Sequence, residues 1–236
     1  MQGTHGFLYN GSSYTTVDDP LGVNGNWAFG ISGNKIAGVY LDASSRWYGY
    51  VYDGSIYQTI NDPLGVNGTH VYGIYSNTVV GDFWDASNHQ RAMIYDGTTY
   101  TTIDDPLEVI RSYATGMWGS NIVGTFTDGS GINHGFIYDG NTYTTIDDPL
   151  GVNGTYVYGI QGDDIVGSYV DSSGVGHGFE ATVDVPEPAT FLLCGIGGLT
   201  LWGLARRKMR RPVTALQRGR RAAKRHGVLM RKGVSS

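Results

Sequence analysis

Apolar and polar positions in residues 5–183 change place in short runs, and no window sustains helical spacing. Around residues 134–170 four such runs follow one another: HGFIY (134–138), TYTTID (142–147), TYVYGI (155–160) and DIVGSYV (164–170). They are rich in Tyr, Thr, Val and Ile, the side chains that fit a pleated, half-buried surface. Between them lie Asp-Gly, Asp-Pro, Asn-Gly and Ser-Ser-Gly, which are turn formers. Each run therefore predicts a β-strand, and Tyr138-Asp139-Gly140-Asn141 predicts a tight hairpin.

The pattern repeats. HGFLYNG from His5, YGYVYDG from Tyr48, RAMIYDG from Arg91 and HGFIYDG from His134 start 43 residues apart, and HGFEATV starts at His177, again 43 later. Four units thus span 5–47, 48–90, 91–133 and 134–176, with a final strand at 177–183 and a repeat body of 5–184. Tyr14, Tyr57, Tyr100 and Tyr143 fall in register, as do Gly30, Gly73, Gly116 and Gly159, and Gly38, Gly81, Gly124 and Gly167. Four strands per unit of this length is the period of propeller blades, each of which buries its faces only against its neighbours. The expected fold is all-β: a propeller-like array of four repeats, either four-bladed or a fragment of a larger ring. A β-solenoid or an irregular repeat array is the alternative. A blade is expected to open on the Tyr-Gly-Ile strand and close on the Asp-Asp-Pro strand, giving blades near 27–63, 70–106 and 113–149. Residues 155–184 then supply three strands of a fourth, and the segment 5–20 is expected to add its last strand as a clasp.

Charge divides the chain. Residues 1–185 hold 4 basic and 20 acidic side chains, a net of −16, while residues 186–236 hold 12 basic and 1 acidic, a net of +11. The acidic body repels phosphate, which argues against nucleic acid as a partner. One cysteine, Cys194, excludes an intramolecular disulfide framework and a cysteine-based zinc site. No cofactor motif is visible.

The recurring His-Gly-Phe-Leu/Ile-Tyr-Asp-Gly, Tyr-Thr-Thr-Ile-Asp-Asp-Pro and Tyr-Gly-Ile…Ile-Val-Gly strings resemble the HAF-type repeats of exported bacterial proteins. The third unit departs from them, reading Arg91-Ala92-Met93 for His-Gly-Phe and Glu108-Val109-Ile110-Arg111 for Gly-Val-Asn-Gly.

After the body, Val185-Pro186-Glu187-Pro188 precedes 17 uncharged residues (189–205) and then Arg206, Arg207, Lys208, Met209, Arg210 and Arg211. As a helix the uncharged run spans about 25 Å, near the short limit for a hydrocarbon core of about 30 Å. The basic cluster stays cytoplasmic by the positive-inside rule, and it favours anionic lipid. This layout resembles the PEP-CTERM sorting signal, with Pro186, Glu187 and Pro188 as the motif, 189–205 as the membrane helix and 206–211 as the basic anchor. The resemblance implies processing by an exosortase-type membrane protease. It also implies delivery to the envelope, exopolysaccharide or biofilm of a Gram-negative bacterium. Such signals accompany an N-terminal leader, so the true start is expected upstream of Met1. Residues 212–236 read as a basic, disordered tail.

Candidate chemistry is thin. Asp19, Asp62, Asp105 and Asp148 recur before a proline and are candidate ligand-facing residues, or simply caps of their turns. Glu108 is the acidic residue that breaks the symmetry, as a catalytic acid or base would have to. His5, His134 and His177 share one repeat position and are too far apart to share a metal. Trp27, Trp47, Trp84 and Trp118 are aromatic enough for sugar stacking, with Trp27 and Trp118 expected in the core. The sequence therefore points to a non-enzymatic, structural or adhesive surface protein. A glycan-binding module is the next reading and a carbohydrate-active enzyme the third. An exposed aromatic shelf would favour glycan binding.

Overall fold

The computed structural model describes residues 3–103 and 110–182. The sorting segment with Pro186, Glu187, Pro188, the apolar run 189–205 and the basic cluster Arg206, Arg207, Lys208, Arg210, Arg211 lie outside the described residues, as do Asp105 and Glu108. Among the described residues no helix is long and apolar enough to cross a membrane. One unit runs from Met1 to Glu180; of the second, Ala181–Ser236, only residues 181 and 182 are described.

Among the described residues seventeen strands form five sheets, each built from neighbours in sequence. β1 (Gly6–Tyr9) pairs with β2 (Tyr14–Val17). The first four-stranded sheet holds β3 (Gly25–Ser32), β4 (Lys35–Leu41), β5 (Trp47–Tyr52) and β6 (Tyr57–Ile60). The second holds β7 (Thr69–Tyr75), β8 (Thr78–Trp84), β9 (Gln90–Tyr95) and β10 (Tyr100–Ile103). The third holds β11 (Arg111–Trp118), β12 (Asn121–Thr127), β13 (Asn133–Tyr138) and β14 (Tyr143–Ile146). Three strands complete the array: β15 (Thr155–Gln161), β16 (Asp164–Val170) and β17 (Gly176–Thr182).

The sheets follow the phase set by the Tyr-Gly-Ile strand. The expected clasp does not form. β2 pairs with β1, so the segment's two strands satisfy each other, and β17 ends a three-stranded sheet. The HGFLY strand, surplus to a closed ring, is what holds β2.

Successive sheets stack face to face, and the second strands β4, β8 and β12 are buried on both sides, whereas β16 of the last sheet is buried on one. In β8, Val79 belongs to a core with Ala37, Ile60 and Val71, while its neighbour Val80 belongs to a core with Ala114, Phe126 and Phe136. Adjacent residues on a strand point to opposite faces, so a strand with cores on both sides reads as a continuous apolar run. A third core joins Val17 of β2 to Ile36, Tyr40 and Tyr50 of the next sheet.

The first strands β3, β7, β11 and β15 lie against one another in series. Glycine permits this approach. A Cβ on Gly73 would meet the Gly116 Cα at 3.0 Å, and one on Gly116 would meet the Gly159 Cα at 3.3 Å. Each of these glycines follows a β-bulge, at Ala28/Gly30, Val71/Gly73, Ala114/Gly116 and Val157/Gly159. The bulge bends the strand and re-aims its end.

Candidate functional site at the meeting of the first strands

The recurrent aspartates are engaged with their own turns. The Oδ1 atoms of Asp19, Asp62 and Asp148 accept the backbone N–H of Leu21, Leu64 and Leu150 at 2.9, 2.8 and 2.9 Å. Their own N–H groups donate to Asn26 Oδ1, Thr69 Oγ1 and Thr155 Oγ1. Asp19 and Asp62 are buried, and burial raises both carboxyl pKa values against the lowering effect of the leucine N–H. Asp19, Asp62 and Asp148 follow the last strands of three different sheets, β2, β6 and β14.

The histidines pair with aspartates locally. His5 Nδ1 lies 2.6 Å from Asp18, His177 Nε2 2.9 Å from Asp171, and His70 Nδ1 2.8 Å from the fully buried Asp82. His134 is held from two sides, by Asp147 at 2.9 Å and Asp128 at 3.3 Å. Among the described residues no group of three His, Cys, Asp or Glu side chains is placed to hold a metal ion.

What the fold does gather is one position from every unit. Ile31, Ile74, Met117 and Ile160 lie 43 residues apart, as do Ser32, Tyr75, Trp118 and Gln161. These eight residues and Gly33 line one open cavity of about 450 Å³. It lies where β3, β7, β11 and β15 end. Ile31, Ile74, Met117 and Ile160 are its apolar part, with Ile74 buried at 7% exposure and Ile31 exposed. Tyr75 and Trp118 stand at its mouth, 36% and 42% exposed, with ring centroids 5.4 Å apart and planes at 59°. Ser32 Oγ accepts the N–H of Ser76 at 2.9 Å, which fixes the oxygen and leaves the hydroxyl proton to point elsewhere.

Trp118 is therefore not the core residue that its place beside a Tyr-Gly-Ile-type strand suggests. It is the last residue of β11, beyond the bulge, and the strand carries it out of the stack. Trp27, by contrast, packs on Trp47 with centroids 4.9 Å apart. The position of Trp118 does carry a trace in sequence. It is filled by Ser, Tyr, Trp and Gln in the four units, whereas the preceding position is always Ile or Met.

Among the described residues the lining holds no charged side chain and no acid–base pair. Apolar walls with exposed aromatic faces and a few amide or hydroxyl groups suit a ligand with both C–H and O–H surfaces. At the opposite end of the sheets two open grooves of about 520 and 420 Å³ recur in register. One is lined by Leu21, Val23, Tyr40 and Asp42, the other by Leu64, Val66, Phe83 and Asp85.

Among solved structures the chain is similar to the Aleuria aurantia lectin. A variant in complex with alpha-methyl-L-fucoside is 18% identical, with TM-score 0.46 over 79% of this chain and 72% of that one. The same lectin described as a six-bladed β-propeller is 18% identical, with TM-score 0.44 over 78% and 72%. SapL1 lectin in complex with alpha methyl fucoside is 16% identical, with TM-score 0.38 over 75% and 72%. No curated protein matches the chain at a significant level. Residues 184–211 match the PEP-CTERM protein-sorting motif, which marks the chain as an exported, surface-directed protein with the tail of an exosortase substrate.

Proposed function

We propose that this chain is a non-enzymatic, adhesive repeat protein of HAF type, and that it adheres through glycan held at the cavity where the four first strands end. The observation that carries the reading is the exposed Tyr75–Trp118 pair beside the apolar Ile74, Met117 and Ile160 in that cavity. A pyranose offers a C–H face to an aromatic ring and hydroxyls to side chains such as Ser32 and Gln161. Lining by all four units supports blades set around one axis, with a count of four or a larger ring. The PEP-CTERM tail supports tethering by residues 189–205, with Arg206–Arg211 on the cytoplasmic side before processing by an exosortase-type protease. The setting is the envelope or exopolysaccharide matrix of a Gram-negative bacterium, and the partners are that protease, membrane lipid and matrix glycan.

The test is a glycan-array screen of the full chain in a sugar-free polyoxyethylene detergent, beside Trp118→Ala. Binding that falls at least about tenfold in the variant, the loss of one good stacking contact, supports the reading. Trp118 is 42% exposed and packs on Tyr75, so the variant's unfolding midpoint is measured beside its binding to separate a lost contact from a lost fold. No binding by the full chain sinks glycan adhesion and leaves a purely structural scaffold.

A further inference from the structure

We infer that the cavity at the ends of the first strands selects glycans without acidic groups and turns away uronate, sulfated or phosphorylated chains. This rests on the glycan reading above and adds the charge of the ligand. The basis is which side chains the hairpins place around the mouth.

In an antiparallel four-stranded sheet, the turn from the first to the second strand and the turn from the third to the fourth lie at the same end. The cavity opens at that end. The third-to-fourth turns carry Asp53, Asp96 and Asp139, each followed by glycine. Asn34, in the β3–β4 turn, donates its side-chain N–H to the Asp53 carbonyl at 3.0 Å, which ties the two turns together. The β15–β16 turn adds Asp163, with Asp164 opening β16. Ile160 and Gln161 of the cavity also line a neighbouring hollow with Asp164 and Glu180. That makes six carboxylates at this end.

Among the described residues, the one basic side chain there is Lys35, and its Nζ donates to Asn77 Oδ1 at 2.6 Å. Arg46, Arg91 and Arg111 lie at the opposite end, beside the starts of β5, β9 and β11. Asp53, Asp96 and Asp139 stay charged at any ordinary pH. Asp53 and Asp96 accept backbone N–H bonds, from Ile56 and Ser55 and from Thr99 and Thr98, which hold their pKa values below the usual 3.8. Thr142 and Asn141 do the same for Asp139.

The neutral lining does the holding, and the ring of carboxylates filters what arrives. Like charge at a mouth lowers the local concentration of an anionic ligand, an effect that salt screens over a Debye length of about 8 Å at physiological strength.

The experiment measures the full chain in polyoxyethylene micelles against two oligosaccharides of equal length and linkage, a neutral glucan and its C6-oxidised uronate. At low salt the neutral chain binds at least about tenfold tighter, and the gap narrows at high salt. In a variant combining Asp163→Asn, Asp164→Asn and Glu180→Gln the uronate gains affinity and the neutral chain does not. Equal or tighter uronate binding at low salt overturns the inference while leaving glycan adhesion in place. Failure of both chains to bind removes the adhesion reading and this one with it. Neutral binding that Trp118→Ala does not weaken moves the site elsewhere and also overturns the inference.

Discussion

Gly73, Gly116 and Gly159 occupy one repeat position, yet the structure assigns them different costs of gaining a methyl group. A Cβ on Gly73 would lie 2.9 Å from Val80 Cγ2, 3.0 Å from the Gly116 Cα and 3.3 Å from the Thr115 carbonyl oxygen. Carbon–carbon contacts relax at about 3.5–4.0 Å. The Val80 methyl can turn aside, but Gly116 is backbone on the next sheet, so the two sheets must part by about 0.5–1 Å. Overpacking of this kind costs about 1–3 kcal/mol. On Gly116 the tightest neighbour is the Gly159 Cα at 3.3 Å, a milder clash. On Gly159 the nearest atom is Val166 Cγ2 at 3.8 Å, an ordinary contact. Alanine there is neutral or, by restricting the unfolded chain, stabilising by up to about 1 kcal/mol. None of the three has a positive φ, so backbone strain does not blur the comparison. Urea unfolding of the three Gly→Ala variants, followed by tryptophan fluorescence, should rank them Gly73 worst, Gly116 between and Gly159 harmless. For a body of this size each kcal/mol moves the melting temperature by roughly 2–4 °C, a second readout. Equal losses at all three positions, or the largest at Gly159, would refute the stacking of first strand on first strand.

Other outcomes follow from single sites. Tyr50 is fully buried and its Oη has no hydrogen-bond partner among the described residues; Phe136 fills the same repeat position in the fourth unit. Tyr50→Phe should therefore be neutral or up to about 1 kcal/mol stabilising in urea melts, and a clear loss of stability would contradict this. Thr69 is fully buried and its Oγ1 accepts the Asp62 N–H at 3.0 Å. Thr69→Val strands that donor and should cost about 1–3 kcal/mol, while Thr69→Ser should recover most of it. Partial burial disfavours the charged form of His134, but the hydrogen bonds and charges of Asp147 and Asp128 outweigh it and hold its pKa above 6.5. A raised pKa stabilises the fold fully below pH 6.5 and ceases to do so as pH climbs through the folded-state value. The unfolding midpoints of the parent and His134→Gln should thus differ at pH 6 and converge in mildly alkaline buffer. A gap that is constant with pH would show that protonation is not involved.

The strand layout was readable because each hairpin states its own chemistry. Asp-Gly and Ser-Ser-Gly mark the turns, and an identical period of 43 residues fixes where one sheet ends and the next begins. The aspartates before each proline were equally legible as turn caps, and the N–H bonds at Leu21, Leu64 and Leu150 are local contacts two residues away. The pairing of β1 with β2 was not legible. Any Tyr-Thr-Thr-Val strand is a suitable edge for any His-Gly-Phe strand, so sequence alone leaves two partners available, and proximity in the chain decides. The cavity was hidden for a different reason. It draws residues 32, 75, 118 and 161 from four units, and the bulge that turns Trp118 outward leaves no mark beyond a glycine.

The invariant step between sheets bears on how such a chain can change over generations. The junctions β2–β3, β6–β7 and β14–β15 share one Pro-Leu-Gly-Val-Asn-Gly loop, with the N–H of Gly22, Gly65 and Gly151 donating to the carbonyl of the aspartate three residues before it. Duplication or loss of a 43-residue segment therefore recreates a junction already present and requires no compensating substitutions, as expected for quasi-one-dimensional folds. Length is thus a quantity that selection can adjust in whole increments. The ends of the first strands are the part that such a change would alter, because each added or deleted unit changes which side chains meet there.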